Sequence, residues 1–386
     1  MKNNLKILRI IQTLNPEYGG PANAIIDSSI VLQEKGYKVD ILTYDSQDKI
    51  KNINKKKIRI INKGPSLGGY NLSIKAFFWL LKNKKKYDIF IIHGIWHFSS
   101  LLARILLRNK YYIFLHGGLD TYFKSEPIKL IKKKIYWILA EKKNLLLSKK
   151  VLLTTYFEQK QLNNTYVNTK NIPKKYVGYG ILKPKINKIH CKEKFYKKFP
   201  FLKNKKYLLF LGRFHPKKGC FTLLKAIKLI IDKKIDIKVL MVGPESIYKK
   251  KIQIFCKENG LKKNIFWSNT MTGELKWGSI LNSEGMVLSS HGENFGISLV
   301  EALSCAKPVL TTYKVGIYKD ILKYKAGFIS KDKPNDFAKI LEKFKLLKKN
   351  DLKKLSYNSY NCFDKNFNIK KNYYLAKFLK KDFYLK

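Results

Sequence analysis

Two short segments of this sequence place cations, carboxylates and glycines at spacings that suit a phosphorylated ligand. In Phe210-Leu211-Gly212-Arg213-Phe214-His215-Pro216-Lys217-Lys218-Gly219, an apolar run ends at a glycine and presents Arg213. It then turns through Pro216 and presents Lys218 ahead of a second glycine. Two cations beside the N–H groups that open the next helix make a site for a diphosphate. Lys218 alone reads sooner as part of a solvated basic loop in a Lys-rich protein. Arg213 is more telling, since only five of the 79 Lys+Arg are arginine.

The second segment is Ser290-His291-Gly292-Glu293-Asn294-Phe295-Gly296-Ile297-Ser298-Leu299-Val300-Glu301-Ala302-Leu303. A helix is expected from Gly296, and its N-terminal N–H groups and dipole suit an anion. Glu293 and Glu301 stand eight residues apart, near two helical turns, so both are expected on one side. A carboxylate in a first turn can be a simple cap. Two of them around an anion-binding helix start fit a sugar nucleotide, with phosphates on the N–H groups and hydroxyls on the carboxylates. A third candidate is His116, followed by Gly117 and Gly118. It reads either as a core histidine at a strand end or as a ligand-facing side chain, and the glycines favour the second.

The elements that must position these residues alternate in type. Strand-like runs at Leu5–Ile11, Val39–Thr43, Ile58–Ile61, Ile89–Ile92, Tyr111–Leu115 and Val151–Thr154 have helical patterns between most of them. The alternation lapses in a Lys-rich stretch with Pro184 and Pro200 and restarts at Tyr207–Leu211, Ile237–Val242, Ile265–Trp267, Met286–Ser289 and Pro308–Thr312. Such alternation predicts parallel sheets covered by helices on both faces. At 386 residues the chain has room for two such domains. The expected division is 1–185, a linker over 186–204, a second domain over 205–360, and a helical tail over 361–386 that packs back on the first domain. Ligands of open α/β sheets lie at the carboxyl ends of the strands, so two sheets facing across a cleft would hold the ligand there.

Composition narrows the class of function. The net charge is +52, and the cations are overwhelmingly lysine, spread along the whole chain in short runs. Base readers and phosphate clamps favour arginine for its bidentate fork, so the charge speaks for anionic surfaces more than for nucleic acid. Five cysteines lie far apart without a C-x-x-C pair, which offers neither a common zinc spacing nor a disulfide framework. No signal peptide is evident, and the longest uncharged run, Ile89–Ala103, is too short to span a bilayer. A cytoplasmic protein is expected, peripheral on the inner face of the plasma membrane.

The two segments together resemble the G-R-x-x-x-x-K-G and E-x7-E motifs of the GT4 family of retaining glycosyltransferases. Other stretches agree. Asn15–Pro21 is similar to the family's Gly-Gly loop after the first strand. His93-Gly94-Ile95-Trp96, Leu115-His116-Gly117-Gly118-Leu119-Asp120 and Gly273-Glu274-Leu275-Lys276-Trp277 resemble segments of bacterial members that build surface polysaccharides. Two departures stand out: the usual Asn-Gly before the linker reads Tyr179-Gly180, and Thr121-Tyr122 displaces a Trp.

The resemblance implies a GT-B fold, with two Rossmann-like, doubly wound α/β domains facing across a cleft. It implies transfer of a hexose-type sugar, with retention, from a UDP- or GDP-linked donor to a saccharide or lipid-linked saccharide. Gly19 and Gly20 would let the backbone approach the donor's distal phosphate and the acceptor. Arg213 and Lys218 would hold the diphosphate. Glu293 and the Asn294-Phe295-Gly296 backbone would contact the transferred sugar and its phosphate, Glu301 the ribose diol, and His116 the reacting centre. The sequence has no D-x-D pair, so no metal or prosthetic group is expected, and the leaving charge falls to Arg213, Lys218 and the helix dipole. The competing readings are a basic nucleic-acid-binding protein and a phosphorylase or synthase of the same fold.

One further segment bears on partners. Pro127–Ala140 reads as a helix with Ile128, Ile131, Ile135 and Ile138 in one stripe. Lys129, Lys132 and Lys133 lie off the stripe, and Trp137 suits a headgroup-level anchor. The same pattern serves a helix whose stripe faces its own core. The overall charge tips the expectation toward docking on an anionic membrane.

Overall fold

The computed structural model describes residues 5–15, 21–46, 58–119, 127–165 and 169–384. Seven strands form the first sheet: β1 (Lys6–Ile11), β2 (Lys38–Thr43), β3 (Arg59–Asn62), β4 (Ile89–His93), β5 (Tyr111–Phe114), β6 (Lys150–Leu153) and β7 (Lys174–Tyr176). Their order is β3-β2-β1-β4-β5-β6-β7, every pair parallel. Six form the second: β8 (Leu208–Leu211), β9 (Val239–Val242), β10 (Ile265–Ser268), β11 (Gly285–Leu288), β12 (Val309–Thr312) and β13 (Gly327–Ser330). Here the order is β10-β9-β8-β11-β12-β13, again all parallel. Each sheet is therefore doubly wound, and its strand order reverses beside its own first strand. That reversal, between β1 and β4 and between β8 and β11, opens the crevice in which such sheets bind ligands.

The strands read as apolar runs because helices cover both faces of each sheet. Ile7, Leu8 and Ile10 are all buried in β1, as are all four residues of β9 and β11. Burying one such side chain fully contributes about 1.5–3 kcal/mol. Arg9 is the exception within β1, a charged side chain only 1% exposed.

The chain divides into two compact units, Met1–Leu182 with Ile369–Lys386, and Lys183–Asn368. The stretch 186–204 is no linker. It carries the helix Lys188–Lys198, capped by Asn187 and packed on the helix Gly273–Asn282, and a 3-10 turn over Pro200–Leu202. Its burial rests on Cys191, Phe195, Phe199 and Leu202, set among lysines whose charge disguised a helix. The segment that joins the first unit starts at Ile369, eight residues after the expected 361. Ile369, Tyr373, Leu375, Ala376 and Leu379 pack there against Ile7, Val39, Ile89 and Tyr112. Lys149 Nζ lies 2.7 Å from an Asp382 carboxylate oxygen at the end of this segment.

Candidate functional site

In the second unit, the loops after β8 and β11 carry most of the expected site residues, on either side of the strand reversal. Arg213 follows β8 and is exposed. His215 Nδ1 accepts from the Lys217 N–H at 3.1 Å and so caps the short turn Pro216–Lys218. Gly219 ends that turn with φ +66° and opens the helix Cys220–Asp232. A Cβ there would lie 1.9 Å from the Ser289 carbonyl oxygen. Only glycine lets the two loops meet, and once met they are tied. The His291 N–H donates to Lys217 O at 2.8 Å, and Ser289 Oγ donates to Gly219 O at 2.8 Å.

This closure brings Lys218 and Glu293 together: Lys218 Nζ donates to Glu293 Oε2 in a half-buried ion pair. Burial works to raise the Glu293 carboxyl, but Lys218 first, then Lys217 and Arg213, outweigh it and hold the group below its ordinary range. Glu293 does not stand on the helix. Its backbone bridges to the loop after β12, with its N–H donating to Lys314 O at 2.9 Å and its carbonyl accepting from Gly316 N–H at 2.8 Å. Gly296, with φ +78°, caps the helix Ile297–Ser304. The left-handed Gly296 starts the helix between Glu293 and Glu301, as the expected start at Gly296 requires. Glu301 does lie on the helix, and its carboxylate accepts from Lys276 Nζ at 2.7 Å. Asn294 is half-buried, whereas the Phe295 ring turns inward, edge-on to Phe367 at 5.6 Å. Two cations, a carboxylate held in register with one of them, and a helix N-terminus are groups whose chemistry suits a phosphorylated polyol.

In the first unit, His116 follows β5 in a left-handed conformation, φ +48°. The loop that carries it is fixed at several points. The Gly117 N–H donates to Glu158 Oε1 at 2.8 Å, while the other oxygen of Glu158 accepts from the Thr154 N–H at 2.8 Å. Trp96 Nε1 donates to Gly118 O at 2.7 Å, and the Gly94 N–H donates to Phe114 O at 2.8 Å. The His93-Gly94-Ile95-Trp96 segment thus clamps the His116 loop. His93 Nδ1 lies 2.8 Å from His116 Nε2, and the two rings stack at 5.2 Å. Desolvation first, then Arg9, pushes His116 down to about 3. Tyr179, where the sequence departs from the family's Asn, sets its ring edge on His116 at 5.7 Å. Gly19, Gly20 and Asp120 lie outside the described residues.

The sequence reading missed Arg9, Glu158 and Lys276 as partners of the site. Lys276 sat inside a quoted motif, and Arg9 was visible only as a charge interrupting an apolar run. Among the described residues, no group of three or more His, Cys, Asp or Glu side chains is placed to hold a metal ion.

Residues 192–361 match the family model described as glycosyl transferases group 1. An uncharacterized glycosyltransferase of Methanocaldococcus jannaschii, MJ1178, is 27% identical over 352 residues, 89% of this chain and 89% of that one. The serotype-specific mannosyltransferase WbdA of Escherichia coli is 25% identical over 140 residues, 35% of this chain and 17% of that protein. Among solved structures, Anabaena HepE in complex with UDP and glucose has a TM-score of 0.76 at 15% identity, covering 98% of this chain and 100% of that one.

Proposed function

From the premise that this is a group 1 glycosyltransferase with the GT-B fold, we propose that it moves a hexose, with retention, from a UDP- or GDP-linked donor. The acceptor is a saccharide or lipid-linked saccharide of surface-polysaccharide assembly, a reading supported by the likeness to WbdA. The observation that carries the proposal is the Lys218–Glu293 pair at the strand reversal, beside Arg213 and the start of the helix Ile297–Ser304.

Breaking a glycosyl–phosphate bond gives an oxocarbenium-like transition state and a leaving group whose charge grows as the bond opens. Arg213, Lys218 and the N–H groups after Gly296 meet that charge in fixed positions, which costs no reorganisation during the reaction. Glu293, kept ionised by Lys218, accepts from sugar hydroxyls. Glu301, braced by Lys276, accepts from the ribose diol, and His116 sits by the transferred sugar. The chemistry proceeds without a metal, and attack comes from the face that the phosphate leaves.

The proposed setting is the cytoplasmic face of a membrane. Among the described residues no helix is long and apolar enough to cross one. In the helix Pro127–Tyr136 and the turn after it, Ile131, Ile135 and Ile138 are 58%, 53% and 71% exposed. These three side chains therefore do not face the core. Trp137, by contrast, is buried and anchors nothing outside, and Lys133 lies over the Trp96 ring at 5.3 Å.

A screen of UDP- and GDP-sugars against saccharide acceptors tests the activity. Arg213→Ala and Lys218→Ala are each expected to lower kcat by two orders of magnitude or more, since one lost charge contact in the transition state costs roughly 3 kcal/mol. Turnover should survive EDTA. Full activity in Arg213→Ala, or strict dependence on a divalent cation, would sink the assignment.

A further inference from the structure

We infer that Arg9 and His93 fix the tautomer of His116, so that it meets the sugar as a neutral hydrogen-bond donor at Nδ1 and never as a proton acceptor. The substrate in this statement rests on the function proposed above; the relay rests on geometry alone.

Arg9 lies in the middle of β1 with its side chain locked. Nη1 donates to Ile25 O at 3.0 Å, Ser28 Oγ at 2.7 Å and Ser29 Oγ at 2.9 Å. Nε donates to His93 Nε2 at 3.0 Å. A guanidinium has donors and no acceptor, so His93 Nε2 must supply the lone pair. A neutral imidazole carries one proton, which for His93 is then on Nδ1. That proton points to His116 Nε2 at 2.8 Å, which must accept it. His116 is left with its own proton on Nδ1, an atom without a hydrogen-bond partner among the described residues. One permanent charge thus sets the direction of two hydrogen bonds.

The surroundings hold both rings neutral. His93 is buried in a triangle of rings with Phe114 and His116, each 5.2 Å from it and 5.4 Å from one another, and burial with Arg9 drives it well below its ordinary range. The other titratable groups that face this cluster are Tyr179, Tyr373, Asp27 and Glu158. Burial raises both phenols, so they stay uncharged beside Arg9. Glu158 is turned to Gly117 and Thr154. Donation from a relay that begins at a cation is strengthened along its length. Arg9 and His93 are therefore positioning residues, acting on the sugar through His116.

The six histidines make the test tractable by nitrogen NMR of the full chain labelled at histidine. Long-range proton–nitrogen spectra should show His93 and His116 as Nδ1–H tautomers that do not titrate between about pH 5.5 and 8. An Nε2–H tautomer at His116, or titration within that window, overturns the inference. His93→Phe keeps a stacked ring and deletes both nitrogens. Loss of one charge-assisted hydrogen bond is expected to lower kcat about tenfold, with donor KM within about twofold. His93→Gln, whose amide accepts from Arg9 and donates to His116, should return kcat to within about threefold. Equal losses in the two variants would also overturn the relay. Should His93→Phe fail to fold, the spectra and the Gln variant still decide. No sugar transfer from any donor, with the expected tautomers in place, would overturn the functional reading and leave the relay standing.

Discussion

A methyl group at position 219 has nowhere to go. The Cβ would sit 1.9 Å from Ser289 O, and the backbone at φ +66° is one that alanine adopts only at a cost. Gly219→Ala is therefore expected to destabilise the second unit by about 3 kcal/mol, the sum of a left-handed penalty and forced separation of two packed loops. Urea unfolding should show it as a lower midpoint. Donor affinity should fall with it, because Lys218 reaches Glu293 only while the loops after β8 and β11 are closed. Normal stability with normal donor binding would mean that this contact does not shape the site. Arg213, Lys218, Glu293 and Glu301 stood out as candidates because each lies in one of two short segments that follow an apolar strand run. Arg9 was not, because nothing in its neighbours Leu8 and Ile10 distinguishes a charge that breaks a strand from one buried inside it.

At the scale of elements, the turn Trp137–Glu141 is wound as a π-helix and carries a carboxylate with no exposure. Glu141 accepts from the Trp96 N–H, Ser100 Oγ and Asn144 Nδ2, and these bonds lower its pKa. Burial outweighs them and raises the group to about 7. Between the unfolded value near 4.5 and about 7, the native state holds a proton that the unfolded state has released. Stability must fall as pH rises through that window and level off above it. The shift corresponds to about 3 kcal/mol. Glu141→Gln, permanently neutral, is expected to gain on the wild type as pH climbs from about 5 to 7.5. Melting curves that keep the same separation across this range would show that Glu141 is ionised when folded. Strands were the most legible elements, because helices on both faces demand continuous apolar runs. The two that escaped, β7 and β13, are sheet edges, and β7 reads Lys-Lys-Tyr. Charge on the β7 edge removes the signal there, and β13, Gly-Phe-Ile-Ser, offers only two apolar side chains in a row.

At the scale of the whole molecule, the net charge of +52 and the exposed isoleucine row suggest one partner. Single exposed apolar side chains are ordinary, but Ile131, Ile135, Ile138 and Leu139 follow one another along one turn-by-turn path, beside the exposed Lys132 and Lys134. An anionic bilayer satisfies both the charge and the apolar row. Two contributions can be separated by mutation. Lys132→Gln with Lys134→Gln removes about 1 kcal/mol per lysine, so partitioning onto anionic vesicles should drop about thirtyfold at low salt. Ile135→Ser with Ile138→Ser removes apolar insertion, costing about a hundredfold by the usual burial estimate of about 1.5 kcal/mol per side chain. That second loss should persist at high salt, where screening to about 3 Å has erased the first. Cosedimentation with phosphatidylglycerol and phosphatidylcholine vesicles reads both. If binding follows salt alone and ignores the isoleucines, the charge attracts membranes without a docking helix. If anionic and neutral vesicles bind equally at low salt, the lysine excess serves no membrane at all.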